Sequence, residues 1–201
     1  AMANKKFAVG CLVVVLVVAL IAAVYVTGVY NSLVGLDQKV QAQWGQVENT
    51  YQRRADLIPN LVETVKGAAA FEQDTFTAVT EARAKVGQVQ VNPGQLTPDA
   101  MAQFQQAQDG LSSALSRLLV VVEKYPELKA TENFKELQAQ LESTENRITV
   151  ERMRFNEAAQ AFNTKRNTFP AVLIAGFFGK FAEKPYFKAQ AGAETAPKIQ
   201  F

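Results

Sequence analysis

Arg53-Arg54-Ala55-Asp56-Leu57-Ile58-Pro59 is the stretch that decides the fold. It separates two runs of apolar residues at helical spacing and contains no glycine, so it reads as a tight hairpin or as a proline kink in one very long helix. The choice sets parity. A hairpin gives four helices and returns the chain to where it started, whereas a kink gives three and leaves it at the far tip. The hairpin is preferred, because a helix continued to Val91 would be about twice as long as its partners and leave apolar face uncovered. In that reading Asp56 caps the second helix and Pro59 sits in its first turn, where a missing N–H costs little.

On the N-terminal side, Leu33, Leu36, Val40, Trp44, Val47 and Tyr51 recur at spacings that place them on one helix face. Further back, Phe7 to Tyr30 reads FAVGCLVVVLVVALIAAVYVTGVY, uncharged throughout, about 24 residues where about 20 cross a bilayer. A cleavable signal sequence has a shorter apolar core and a small-residue cleavage site, so this run is a retained anchor. Cys11, the sole cysteine, lies inside it and rules out an intrachain disulfide.

On the C-terminal side, Leu61, Val65, Ala69, Phe76, Val79, Ala82 and Val86 form a second stripe. Val91-Asn92-Pro93-Gly94-Gln95-Leu96 breaks it, and Thr97-Pro98-Asp99 supplies a cap, a first-turn proline and a carboxylate for the next helix dipole. Met101, Phe104, Leu111, Leu115, Leu118 and Val122 make the third stripe, which stops at Tyr125-Pro126. Phe134, Leu137, Leu141, Thr144, Ile148, Phe155, Ala159 and Phe162 make the fourth and longest, ending before Phe169-Pro170. No run alternates with period two. The predicted fold is all-α: a basic N-terminus over 1–6, a transmembrane helix over 7–30, an up-down-up-down antiparallel four-helix bundle over 31–168, an apolar and aromatic amphipathic segment over 169–188, and a disordered tail over 189–201.

Twenty-one Lys and Arg stand against 19 Asp and Glu, scattered along the chain, which offers no footprint for nucleic acid. Histidine is absent. A di-iron bundle and an imidazole-assisted nucleophile are thereby excluded, and no phosphate loop or paired-cysteine motif appears, so the expectation is no catalytic residue, no metal and no cofactor. Polar residues beside the core are the remaining candidates. Arg54 falls in register with the first stripe, so it points inward or caps the distal end of the bundle, and its guanidinium needs a carboxylate, which the hairpin would place at Glu132 or Glu136. Glu145, Arg152, Asn156 and Asn163, at spacings of seven, four and seven, form a polar strip that serves as an exposed flank, as a register-setting network within one chain, or as a contact with another subunit. Trp44 is expected in the core with its N–H bonded. In the apolar tail, Phe177, Phe178, Lys180, Phe181, Lys184 and Lys188 are candidates for the membrane surface; the competing reading is that the tail caps the base of the bundle or packs on a neighbouring subunit.

These residues resemble the LemA family of bacterial membrane proteins. The similarity is carried by Tyr30-Asn31-x-Leu33-Val34, by Trp44, and above all by Arg53-Arg54-x-Asp56-Leu57-Ile58-Pro59-Asn60-Leu61-Val62-x-x-Val65-Lys66-Gly67. Tyr125-Pro126-x-Leu128-Lys129-Ala130, Thr144-Glu145-Asn146-Arg147-Ile148, Phe155-Asn156 and Asn163 extend it. Phe155 stands where the family commonly has tyrosine, and Thr131 where it often has asparagine. The resemblance implies a membrane-anchored four-helix bundle without established enzymatic activity, and one class of relatives is associated with magnetosome membranes. It also implies a short N-terminus outside the cell. Lys5 and Lys6 argue the reverse, a cytoplasmic N-terminus with the body in the periplasm, and that orientation in the bacterial inner membrane is the one adopted. The expected function is a non-enzymatic scaffold whose bundles self-associate at the bilayer, with Arg53, Arg54, Asp56, Pro59, Asn60 and the polar strip as structural or interface residues. The alternative is a sensor or adaptor that binds a ligand or another membrane protein.

Overall fold

The computed structural model describes residues 2–67 and 72–188, with side chains described from Gly10 onward. Among these residues the secondary structure is entirely helical: α1 (Met2–Lys66), α2 (Gln73–Gln88), a 3-10 turn (Pro93–Gln95), α3 (Pro98–Val122), the short α4 (Pro126–Lys129), α5 (Glu132–Asn167) and α6 (Ala171–Phe178). Ala69 and the predicted disordered tail over 189–201 lie outside the described residues.

The hairpin expected at 53–59 does not form. α1 runs 65 residues without interruption, roughly 100 Å, and Pro59 lies in its interior. A proline there removes one i to i−4 hydrogen bond and orphans the carbonyl of Ala55. That carbonyl instead accepts from the half-buried Arg83 Nε of α2 at 2.9 Å. Asp56 therefore caps nothing; it is exposed in mid-helix and accepts from Gln52 Nε2. The break comes after Lys66 instead, and Leu61 and Val65, assigned from the sequence to the second helix, belong to the first.

The inner face of α1 explains why. Leu33, Asp37, Val40, Trp44, Val47, Tyr51, Arg54, Ile58, Leu61 and Val65 are all buried, and their spacing alternates four and three through the proline without a slip. One helix therefore presents one continuous stripe. α5 lies antiparallel along it: Trp44 meets Phe155 with ring centroids 5.7 Å apart, and Arg54, further up α1, meets Glu145, further down α5. α3 runs with α1, since Tyr51 packs on Phe104 and Arg54 reaches Gln108 and Ser112.

Local signals set the other boundaries. Thr97 Oγ1 accepts from Ala100 N, with Pro98 in the first turn, so α3 starts where the sequence indicated. Thr131, by contrast, does not cap α5; its hydroxyl donates back to the Leu128 carbonyl. Two apolar clusters form the interior. The proximal one gathers Val29, Leu33, Trp44, Phe104, Phe155, Phe162, Phe181 and Phe187, and the distal one Ile58, Leu61, Phe76, Leu111, Leu118 and Phe134. Each fully buried large side chain contributes about 1.5–3 kcal/mol. After α5 the chain is back at the base of the body, where Tyr30 packs edge-on against Phe178 and Phe181.

Arg83→Met leaves the Ala55 carbonyl without its donor and is expected to destabilise the detergent-solubilised full chain by about 1–2 kcal/mol in urea unfolding. In a Pro59→Ala background residue 59 regains an N–H, and the same substitution should then cost about half a kcal/mol or less.

Candidate functional site

Two polar constructions are set into the apolar interior. The first is a layer between the two clusters. Arg54 follows Tyr51 of the proximal cluster and precedes Ile58 of the distal one, and it is 3% exposed. Its Nη1 donates to Glu145 Oε2 at 2.9 Å and to Ser112 Oγ at 3.0 Å, and its Nη2 donates to Gln108 Oε1 at 2.6 Å. The guanidinium carbon lies 5.1 Å from the centre of the Tyr51 ring. Only Nε lacks a partner. Burial pushes the Tyr51 phenol above its usual range, against the opposing pull of Arg152 and Arg54. The layer joins α1, α3 and α5. The carboxylate that meets Arg54 is the half-exposed Glu145, not Glu132 or Glu136, because α1 continues past residue 59 and shifts the facing level on α5 by about three turns.

The second construction is a strap. After α6, Gly179 adopts φ +61°, a left-handed C-cap that suits glycine, and residues 180–188 run back along α5 without secondary structure of their own. Phe181, Lys184 and Phe187 are buried, one residue in three, the periodicity of a polyproline II helix. A buried extended segment must pair its peptide groups. Asparagines do this. Asn163 donates from Nδ2 to the Lys184 carbonyl and accepts at Oδ1 from Lys184 N, both at 2.8 Å. Asn156 treats Phe187 the same way, at 3.1 and 2.9 Å. Seven residues of helix rise about 10.5 Å, while three of extended chain cover about 9–10 Å, so the two amides fall in step with the strap. Arg152 and Gln105 donate to the Lys188 carbonyl, and Arg166 Nε donates to that of Phe181 at 2.6 Å.

Lys184 carries the strap's charge inward, where Nζ pairs with Asp37 of α1. Both residues are buried, at 4% and 7% exposure, with Gln41 Nε2 on the second Asp37 oxygen and the Phe162 ring 5.1 Å from the ammonium. Trp44 is stacked on Phe187 at 5.9 Å and edge-on to Phe104 and Phe155. Its indole N–H, expected to be bonded, has no partner, because those neighbours offer only rings.

Of the sequence candidates, Arg54 and Glu145 meet in the layer, and Arg152, Asn156 and Asn163 hold the strap within one chain. Arg53, Asp56, Pro59 and Asn60 are exposed on the outer side of α1 and join neither. Phe181 and Lys184, read as membrane-facing, point into the interior instead, since the strap rather than an open surface occupies their level. Phe177, Lys180 and Lys188 are exposed, and Phe178 is half-packed on Tyr30. Asp37 was missed. Its place in the four-three spacing, between Leu33 and Val40, was the available signal.

Asn163→Ala removes both partners of the Lys184 peptide. Amide exchange at Lys184 and Phe187 in the full chain is expected to accelerate by roughly 10- to 100-fold, the equivalent of about 1–3 kcal/mol, with the amides of α3 unchanged.

The sequence profile of the LemA family matches residues 43–201. Magnetosome protein MamQ 2 of Paramagnetospirillum magneticum is 28% identical over 198 residues, covering 89% of this chain and 71% of its own length. Magnetosome protein MamQ of Magnetospirillum gryphiswaldense is 26% identical over 185 residues, covering 83% and 67%. Protein LemA of Metamycoplasma hominis is 24% identical over 155 residues, covering 77% and 67%. With the profile matched across most of its length, the chain belongs to the LemA family.

Proposed function

We propose that this chain is a non-enzymatic, membrane-anchored structural protein whose helical bodies associate laterally. The observation that carries the reading is the unbroken α1, which is long and apolar enough near its N-terminus to cross a bilayer and continues without a linker into the core of the body. The polar groups in that core are committed to one another: Arg54 to Glu145, Asp37 to Lys184, and two asparagines to the strap. Interior polarity of this kind specifies register and leaves little for a substrate.

In this reading the body half of α1, with α2, α3 and α5, makes an up-down-up-down four-helix bundle over 31–168, and 169–188 closes its base. The bundle stands in the bacterial inner membrane with its body in the periplasm. The magnetosome proteins among its relatives support a role at membranes. Rods about 54 Å long, the length of α5, offer long flanks for side-by-side contact.

A sensor or adaptor is the second reading. It is favoured by a groove of about 450 Å³ between α3 and α5, where Leu115, Leu119 and Leu141 lie beside Arg54 and Glu145.

Cross-linking in intact membranes followed by native mass spectrometry in mild detergent decides between them. The scaffold predicts a ladder of homomeric species that grows with expression level. A monomer at every concentration, or a stoichiometric complex with a different protein, would reject it.

A further inference from the structure

α6 reads AVLIAGFF and has no polar side chain on any face. Its inner side, Ala171, Ile174 and Ala175, is buried in the proximal cluster with Val29 and Leu33, and the Phe178 ring centre lies 4.9 Å from that of Tyr30. Its outer side is uncovered. Leu173 is 63% exposed and Phe177 85%, and Phe169, four residues before Leu173, is 81% exposed. A helix at a water surface turns charged or polar residues outward. Here Leu173 and Phe177, one turn apart on α6, and Phe169 in the turn before it leave exposed apolar area on the order of 500 Å², the size that marks an interaction surface.

The height of this patch identifies its occupant. Along α1 the described residues 10–28 are all exposed, and Val29 is the first buried one. The apolar span thus gives way to the body at the level where α6 is attached. Lys165 and Arg166, in the last turn of α5, and the exposed Lys180, just after α6, set cations beside it, with Glu183 as the acid next in sequence.

We propose that α6 is a second membrane contact: an interfacial helix whose Leu173 and Phe177, with Phe169 in the turn before it, enter the boundary between headgroups and acyl chains, with Lys165 and Lys180 at anionic headgroups. The inference rests on the membrane anchorage proposed above but not on lateral association. Of the residues expected at the membrane surface from the sequence, it keeps Phe177 and Lys180 and adds Phe169, Leu173 and Lys165, while Phe181 and Lys184 are buried in the strap. Paired with the span, α6 gives the base of the body a second contact with the bilayer.

The test uses the full chain reconstituted in phosphatidylcholine–phosphatidylglycerol vesicles. In Phe177→Trp, lipids brominated along the acyl chain are expected to quench the introduced indole roughly twofold, while aqueous iodide leaves it unaffected, as for a side chain about 5–10 Å into the interface. Trp44, fully buried, is the internal reference. Leu16→Trp, placed in the span, monitors anchorage. Quenching by iodide without quenching by bromolipid would overturn the proposal, as would shielding from both, which would mean that a second copy covers the patch. If Leu16→Trp also escapes bromolipid, anchorage itself fails and both readings fall together. If only Phe177→Trp escapes, anchorage stands and α6 is not a membrane contact.

Discussion

The architecture depends on a single carbonyl. A proline at position 59 deprives Ala55 of its helical donor, and an unpaired buried carbonyl costs about 1–3 kcal/mol, enough to favour a turn. Arg83 supplies the missing donor from a neighbouring helix. With that bond made, α1 need not end, and its buried stripe continues from Leu33 to Val65 on one face. The pairing of α5 with α1, the level at which Arg54 meets Glu145 and the position of the distal cluster all follow from the helix being whole.

Polar groups set into this stripe give it an address. A purely apolar seam tolerates slippage by a heptad, because one row of Leu and Val packs much like the next. Asp37 and Arg54 stand in the stripe at different heights and with opposite charge, and each has one matching partner, Lys184 and Glu145. Sliding Lys184 away from Asp37 would leave a charge buried alone, at a cost of several kcal/mol. The asparagine pair acts likewise on the strap. Each side-chain amide substitutes for the neighbouring strand of a sheet, so an extended segment lies against a helix with its backbone satisfied. Glu145 is half-exposed, so the Arg54 pair is screened and contributes register more than strength.

Much of this was legible in the residues, and the misreadings have particular causes. The spacing of Leu33 to Val65 already contains the unbroken helix, but a proline read as a breaker hides the period. A local breaker is visible in sequence; a donor from α2, 28 residues away, is not. The stripe register puts Arg54 inward, and the assumed turn alone accounts for pairing it with Glu132 or Glu136 instead of Glu145. Asp37 is absent from the candidates read from the sequence, although its position within the stripe marks it as interior. The strap left no periodic trace to find, because one buried residue in three over nine residues resembles irregular coil. The seven-residue interval between Asn156 and Asn163 is visible in the sequence, but nothing in it tells whether the amides meet water, a subunit or the chain's own backbone.

The absence of a flexible joint in α1 also has a mechanical side. Helices in bilayers lean by about 20° on average and lean further when the membrane thins. In the membrane-anchored reading proposed above, the roughly 36 residues of α1 beyond the span are a lever of roughly 54 Å, so a 20° lean would carry the tip about 18 Å sideways. Local membrane thickness would thereby become a displacement at the distal end, several times larger than any change in the bilayer itself.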